Sequence, residues 1–323
     1  MILLKNGPLR PTIALGSVSF GSKIPRERVV ALLDVYAELG GNLLDTAHVY
    51  NSWDPGGEGT SETAIGEWLR ANGMRDRMFL ATKGGHPALG NMDNPRCGRH
   101  ELESDLEASL RRLGVETVEL YYLHRDDPRR TVEALVEAAA PLVASGRVGM
   151  LGVSNWRVER IEAANAYAAR CGLPPFAMSQ PRWALARRVH EMTPPDNTLD
   201  VDDVAWAWHR RTGFPMMPFT AQAKGFFGEA NVAWARGGGQ GSAPVGSRYD
   251  APENHARLRA AMRVAEAHGC SAAQVALAYL LCQPFPVYPI VGTSRVERER
   301  EAMGAREVRL SAEECAMLEV GVE

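Results

Sequence analysis

Short, almost wholly apolar runs alternate along this chain with longer stretches whose apolar residues recur every three or four positions. ALGSVSFG (14–21) precedes PRERVVALLDVYAELGG (25–41), where Val29, Val30, Leu32, Leu33, Val35, Tyr36 and Leu39 form a helical stripe closed by a glycine pair. NLLDTA (42–47) precedes SETAIGEWLRANG (61–73), with Ser61 suited to an N-cap. MFLATKGG (78–85) precedes the charged amphipathic HELESDLEASLRRLG (100–114), and VELYYLH (118–124) precedes TVEALVEAAAPLVASG (131–146). The same alternation pairs GMLGVSN (149–155) with VERIEAANAYAARCG (158–172), and PFAMSQ (175–180) with VDDVAWAWHRRTG (201–213). FPMMPFTAQ (214–222) reads as a seventh strand despite its prolines, SAAQVALAYLLCQ (271–283) as a helix, and VYPIVGT (287–293) as the eighth strand.

Strands apolar on both faces belong to parallel sheets covered on both sides. Eight such units predict an α/β fold of the (β/α)8 TIM-barrel type, a single domain over residues 1–323 with a short N-terminal β-hairpin in residues 2–13. A doubly wound sheet would carry a glycine fingerprint after an early strand, whereas glycines 237–239 and 241 lie in a late polar segment without that spacing. Residues 86–99 and 226–253, rich in Gly, Pro and Asn, break the repeat and read as long loops on the C-terminal face. The second is expected to be a mobile cover over the site.

Composition narrows the classes of partner. A net charge of −3 and a pI near 6.3 give no electrostatic reason to expect nucleic acid or an anionic membrane. No apolar run approaches a membrane span, and the run in MILLKNGPLR is too short for the core of a signal peptide. Five cysteines (Cys97, Cys171, Cys270, Cys282 and Cys315) without C-x-x-C spacing suggest reduced thiols in a cytoplasmic protein and make no case for zinc.

Against that background the strand ends stand out. The run Leu43–Leu44 ends in Asp45, with Tyr50 five residues later; Lys83 follows Met78–Ala81, and His124 follows Leu120–Leu123. Each has an ordinary reading alone: Asp45 a turn cap, Lys83 an edge residue extending to water, His124 a core imidazole. In a barrel, however, the ends of strands two, three and four converge on one mouth.

This ordered set resembles the aldo-keto reductase family from about Gly16 to Glu301, with GTSETAIG (59–66), GVSN (152–155), Gln180, PFTAQAKG (218–225) and VGTSRVERERE (291–301) in the expected order. The resemblance implies a catalytic tetrad of Asp45, Tyr50, Lys83 and His124, reducing a small aldehyde, ketone or sugar-like carbonyl with hydride from NADPH and a proton from Tyr50. A Lys83 ammonium about 4 Å from the phenol, at an effective dielectric near 20, would favour the phenolate by about 4 kcal/mol, roughly three pH units, and so make Tyr50 a usable acid. Asp45 would orient Lys83, and His124 would hydrogen-bond the carbonyl oxygen.

The same resemblance implies that Ser154, Asn155 and Gln180 hold the nicotinamide carboxamide, with Gly16 and Ser17 nearby. Phe219, where the family usually has Tyr, would stack on the nicotinamide, and Thr220, Gln222, Lys224 and Gly225 would follow the pyrophosphate. Gly292, Thr293, Ser294, Arg295, Arg298 and Glu301 would take the adenine end, the arginines and hydroxyls favouring NADPH over NADH. Ala302 replaces the usual Asn and Gly292 a frequent Lys. His48, Trp53, His86, Arg125, Asp126 and Trp183 are expected around the substrate mouth, where indoles mixed with polar groups suit a hydroxylated carbonyl such as a sugar. A second reading is a cofactor-binding regulatory subunit with little turnover, as in the family's potassium-channel β-subunits. A barrel metal hydrolase would need more His and carboxylates together than His48, His124 and Asp45 provide.

Overall fold

A computed structural model of the chain describes residues 3–4, 7–8, 12–189 and 198–322. Its sheet has seven parallel strands: β3 (Ala14–Gly16), β4 (Leu43–Asp45), β5 (Phe79–Gly84), β6 (Val118–Leu123), β7 (Val148–Ser154), β8 (Phe176–Gln180) and β9 (Ile290–Val291). They run in the order β8-β7-β6-β5-β4-β3-β9, so each strand from β4 to β8 lies beside its predecessor in sequence. Before them, β1 (Leu3–Leu4) pairs antiparallel with β2 (Gly7–Pro8); the rest of the expected hairpin, up to residue 11, lies outside the described residues.

The expected seventh strand, 214–222, is not a regular strand, and this corrects the eight-strand count. Pro215 and Pro218 lack the N–H groups that a continuous ladder requires. Isolated bridges take its place: Met216 meets Ser179 on one side and Val287 on the other, and Phe219 meets Arg182. Met217 N–H donates to Ser179 O at 2.8 Å, and Tyr288 N–H donates to Met216 O at 2.8 Å. The segment thus spans the gap between the two edges of the curled sheet. The expected eighth strand contracts to Ile290–Val291.

Alternation along the strands divides the apolar residues into two sets. Ala14, Leu43, Phe79, Ala81, Leu120, Tyr122, Met178 and Ile290 form one buried cluster with Met217 and Tyr288, which fills the space inside the sheet. Residues of the opposite face, among them Leu15, Leu44, Leu80, Tyr121, Leu123 and Leu151, pack with the surrounding helices. Helices α1 (Arg26–Glu38), α2 (Thr60–Asn72), α3 (Arg99–Leu113), α4 (Val132–Ala144), α5 (Val158–Cys171) and α6 (Asp203–Thr212) lie where the apolar stripes predict them.

The loop expected over 226–253 is corrected by α7 (Glu229–Arg236) and α8 (Pro252–His268), the latter opened by a proline in its first turn. Fully buried Asn231 holds this segment to itself: its amide donates to Phe226 O (2.9 Å) and Val245 O (2.8 Å) and accepts from Val245 N–H (2.9 Å). Helices α9 (Ala272–Leu281), α10 (Val296–Gly304) and α11 (Ala312–Val320) complete the layer. Among the described residues no helix is long and apolar enough to cross a membrane.

Candidate active site

Parallel register brings the ionisable strand ends to one rim. Asp45 closes β4 beside Ala81 of β5, Lys83 lies opposite Tyr122 of β6, and His124 follows β6 with its N–H on Gly84 O at 2.9 Å. Tyr50 arrives from a tight turn in which Asn51 adopts a left-handed conformation (φ 66°). The Asn51 amide donates to Phe20 O (2.7 Å) and the Thr60 hydroxyl (2.9 Å), which offsets the cost of that backbone conformation and fixes the turn.

Three of the four side chains meet, and His124 stands beside them. Lys83 Nζ, fully buried, donates to Asp45 Oδ1 (2.8 Å) and Oδ2 (2.7 Å), Thr46 O (2.7 Å) and the Tyr50 oxygen (3.0 Å). Tyr50 O–H donates to Asp45 Oδ2 at 3.5 Å. Burial is the largest influence on Lys83 and would lower its pKa, but Asp45 and Tyr50 outweigh it, so the ammonium is held.

The Tyr50 phenol does not behave as the sequence suggests. Its pKa is raised: burial contributes most, Lys83 opposes it, and Asp45 adds to it. At an effective dielectric near 20, Lys83 at 3.0 Å favours the phenolate by about 5.5 kcal/mol, and Asp45 at 3.5 Å disfavours it by about 4.7 kcal/mol. The two nearly cancel, so desolvation of the phenol, whose residue is half-buried at the cleft, decides the sign. This corrects the expectation that Lys83 alone brings Tyr50 towards neutrality. The resting site holds a neutral phenol.

His124 is buried and its pKa is pushed well below the ordinary imidazole value, by burial first and then by Arg125, His86 and Lys83. It is a neutral ring whose Nδ1 has no hydrogen-bond partner among the described residues. The ring of His86 meets it edge-on at 4.8 Å, and the Tyr50 ring lies at 6.0 Å.

Asp45, Tyr50 and His124 open onto one cleft of about 1100 Å³, with Lys83 beneath its floor. Gly16, Ser17, Ser154, Asn155, Gln180, Phe219, Thr220, Gln222, Lys224, Gly225, Gly292, Thr293, Ser294, Arg295, Arg298 and Glu301 all line it. A Cβ on Gly16 would stand 2.6 Å from Ile290 Cγ2, so the rim accepts only glycine there without a shift. The wall 220–225 is unusually strained, with Thr220 (φ 59°), Ala223 (φ 47°) and Lys224 (φ 56°) all left-handed. Lys224 is itself pushed below the ordinary lysine value, by burial and then by Arg182, Arg248 and Lys23.

A scan against protein-family models matches residues 12–320 to the aldo/keto reductase family. The chain belongs to that family. It is 32% identical to the aldo-keto reductase ausK of Aspergillus calidoustus over 323 residues, covering 95% of this chain and 77% of that one. It is 30% identical to the norsolorinic acid reductase stcV of Emericella nidulans, with the same coverage. An NADP(+) aryl-alcohol dehydrogenase of Phanerodontia chrysosporium is 29% identical, covering 95% of this chain and 81% of its own. The fold matches a crystal structure of the thermostable aldo-keto reductase Tm1743 with the inhibitor epalrestat, with a TM-score of 0.71, 24% identity, and 98% and 97% of the two chains covered.

Within this aldo/keto reductase the amides have additional contacts. Gln180 Nε2 donates to Asp45 Oδ1 at 2.9 Å, tying β8 to the buried ion pair. Asn155, left-handed at φ 60°, donates to Ser154 Oγ (2.9 Å) and accepts Leu199 N–H (3.1 Å), which leaves one N–H and one lone pair for a ligand. Arg298 is already engaged by Glu301 and by Glu229 of α7, each at 2.8 Å. Lining residues that sequence reasoning missed are Lys23, Arg182, Arg188, Arg248 and Tyr249. Arg182, directly after Pro181 at the end of β8, lies over the Phe219 ring at 5.3 Å, and its position was the one signal available.

Three of the six expected mouth residues lie elsewhere. His48 faces α3, with Arg112 at 3.3 Å and Asp105 at 3.7 Å; Asp126 pairs with Arg160 at 2.6 Å; Trp183 stacks on Phe285 at 6.2 Å. Trp53, His86 and Arg125 remain near the chemistry, with Trp53 edge-on to Tyr50 at 6.4 Å.

Proposed function

We propose that this aldo/keto reductase reduces a small carbonyl compound to the alcohol, with NADPH supplying the hydride when bound and Tyr50 the proton. The observation that carries this reading is the Lys83–Tyr50 contact at 3.0 Å, opening on the cleft that Asn155, Gln180 and Phe219 also line. Tyr50 would turn its O–H from Asp45, where the bond is long, to the substrate oxygen. Lys83 would remain 3.0 Å from the phenolate oxygen left behind. Neutral His124 would donate a hydrogen bond to the same carbonyl, polarising it without adding a competing acid.

The donors of the cleft fit a dinucleotide. Asn155 and Gln180 offer amide partners for a carboxamide, Phe219 a stacking face, and Lys224 with Arg248 positive charge for phosphates. Arg295, exposed at the rim, and Arg298, with donors left beyond its two carboxylates, favour the 2′-phosphate of NADPH. The rings of Trp53, Tyr50, His124 and His86 run in sequence around the reacting end. Tyr50 and His124 line the cleft, backed by Trp53 and His86, and this aromatic surrounding suits an aromatic aldehyde better than a sugar; relatives named aryl-alcohol dehydrogenase support the same choice.

Fluorescence titration with NADPH and NADH, on the parent and on Arg298→Ala, tests the cofactor half. Tighter NADPH binding, with the loss in Arg298→Ala falling mainly on NADPH, is expected. Reduction of aromatic aldehydes by Tyr50→Phe should fall about 10²–10⁴-fold with nucleotide binding retained. Failure of the parent protein to bind either nucleotide would refute the proposal.

A further inference from the structure

Helix α9 ends at Leu281 with Cys282 as its C-cap, and α11 begins at Ala312 behind the Ser311 capping box. These two helices meet through a polar pair and a sulfur pair. Tyr279 O–H donates to Glu319 Oε1 at 3.0 Å, and Cys282 Sγ lies 2.9 Å from Cys315 Sγ. Tyr279 and Cys282, three apart at the end of α9, face Glu319 and Cys315, four apart on α11, so the two contacts lie side by side. The sulfurs stand less than about 1 Å beyond the ~2.0 Å of a bonded pair. Cys282 is exposed and Cys315 half-buried, so a small oxidant reaches them.

We propose that Cys282 and Cys315 are a disulfide-forming pair that ties the C-terminal helix to α9 when a peroxide is present. One thiolate attacks a peroxide oxygen, giving a sulfenic acid and, after protonation, water; the second thiol displaces the sulfenic oxygen as a second water and forms the S–S bond. Overall, two thiols and one hydrogen peroxide give one disulfide and two waters, each sulfur losing one electron. Both thiols titrate above the ordinary range, Cys282 through desolvation of its sulfur, although the residue as a whole is exposed, and then its hydrogen bond to Cys315, and Cys315 through burial. Thiolate is therefore scarce near neutrality, and the rate of bridging climbs with pH. The bridge reinforces contacts that already hold α11 and the residues just after it to α8, namely Arg257 Nε–H to Glu319 O and Val322 N–H to Ala256 O, both 3.1 Å.

The test treats the full chain with hydrogen peroxide near neutrality and at about pH 9, blocks residual thiols by alkylation, and maps the peptides without reduction. Expected is the joint loss of two of the five thiols, a linked peptide pair containing positions 282 and 315, and a Tm higher by on the order of 5 °C. Dithiothreitol should reverse all three, and bridging should be faster at the higher pH. Cys282→Ser and Cys315→Ser should each abolish the linked pair and the gain in Tm. Recovery of both cysteines in alkylated form after the other thiols have reacted would overturn the proposal. So would separate over-oxidation of each, or links formed through Cys171 or Cys270.

Discussion

Glu299→Gln should remove most of the alkaline sensitivity of this protein. Glu299 lies on α10, is fully buried, and neither carboxylate oxygen has a hydrogen-bond partner among the described residues. The polar groups around it are committed elsewhere. Tyr36 O–H serves the carbonyls of Ile13 and Leu43, Arg306 serves those of Met303 and Leu39, Arg298 pairs with Glu229 and Glu301, and Arg300 pairs with Glu38. Burial therefore pushes the carboxyl up from the ordinary 4.5 to about 8. Between those values the folded chain keeps a proton that the unfolded chain releases, so stability falls as pH rises. At about 1.4 kcal/mol per pH unit the interval is worth roughly 5 kcal/mol, fully lost above pH 8. At about 2.1 cal/mol/K per residue, 323 residues unfold with an entropy near 0.7 kcal/mol/K, so this corresponds to about 7 °C in Tm. Glutamine keeps the shape and cannot ionise. Thermal melts of the two proteins at about pH 5 and pH 8.5 should agree closely at the lower value and separate by several degrees at the higher, with Glu299→Gln the more stable. Melting curves that shift in parallel with pH would refute the reasoning.

On the acid side, buried His209 accepts from Ser179 O–H (3.1 Å), donates to Phe214 O (2.7 Å), and is pushed by burial from 6.5 to about 4. The stability present above pH 6.5 should fall by roughly 3 kcal/mol as pH drops to 4, and His209→Gln should flatten that limb in urea titrations. A limb of unchanged slope would reject the assignment. Asn231→Ala leaves two carbonyls and one N–H of the 226–245 segment without their partner, at a cost of about 3 kcal/mol. Limited proteolysis should then cut within that segment and nucleotide affinity should drop several-fold, because Glu229 and Ala230 beside it line the cleft; an unaltered digestion pattern would count against it.

Seven of the eight strands and the three strand-end residues were legible because periodicity is a local signal. Asp45, Lys83 and His124 each close an apolar run, and parallel pairing brings such ends together whatever lies between them. Segment 214–222 read as a strand because its side chains are apolar, while Pro215 and Pro218 deny it the ladder. Helix α8 was hidden because its buried face is mostly alanine and valine, interrupted by Arg257, with Leu258 the one large apolar residue. His48 and Trp183 were misplaced because strand and loop positions do not say which way a side chain turns once α3 and Phe285 offer it contacts. The carboxylates on Arg298 are beyond local reading too, since Glu229 is 69 residues away.

The sign of the Tyr50 shift is instructive for the same reason. A pairwise argument from Lys83 alone makes the phenol acidic, yet the carboxylate that holds the lysine lies almost as close to the phenol and opposes it. The buried pair is therefore an orienting device in the resting site rather than a standing source of acidity. Gln180 extends that device: it bonds Asp45 from 135 residues away, so a hydrogen bond of 2.9 Å joins the amide facing the proposed nicotinamide end to the carboxylate fixing Lys83. If the Tyr50 proton passes to a substrate oxygen, the charge left behind forms 3.0 Å from an ammonium already in place. No reorientation of Lys83 is then needed at that moment, and this preorganisation, not a lowered resting pKa, is what the geometry provides.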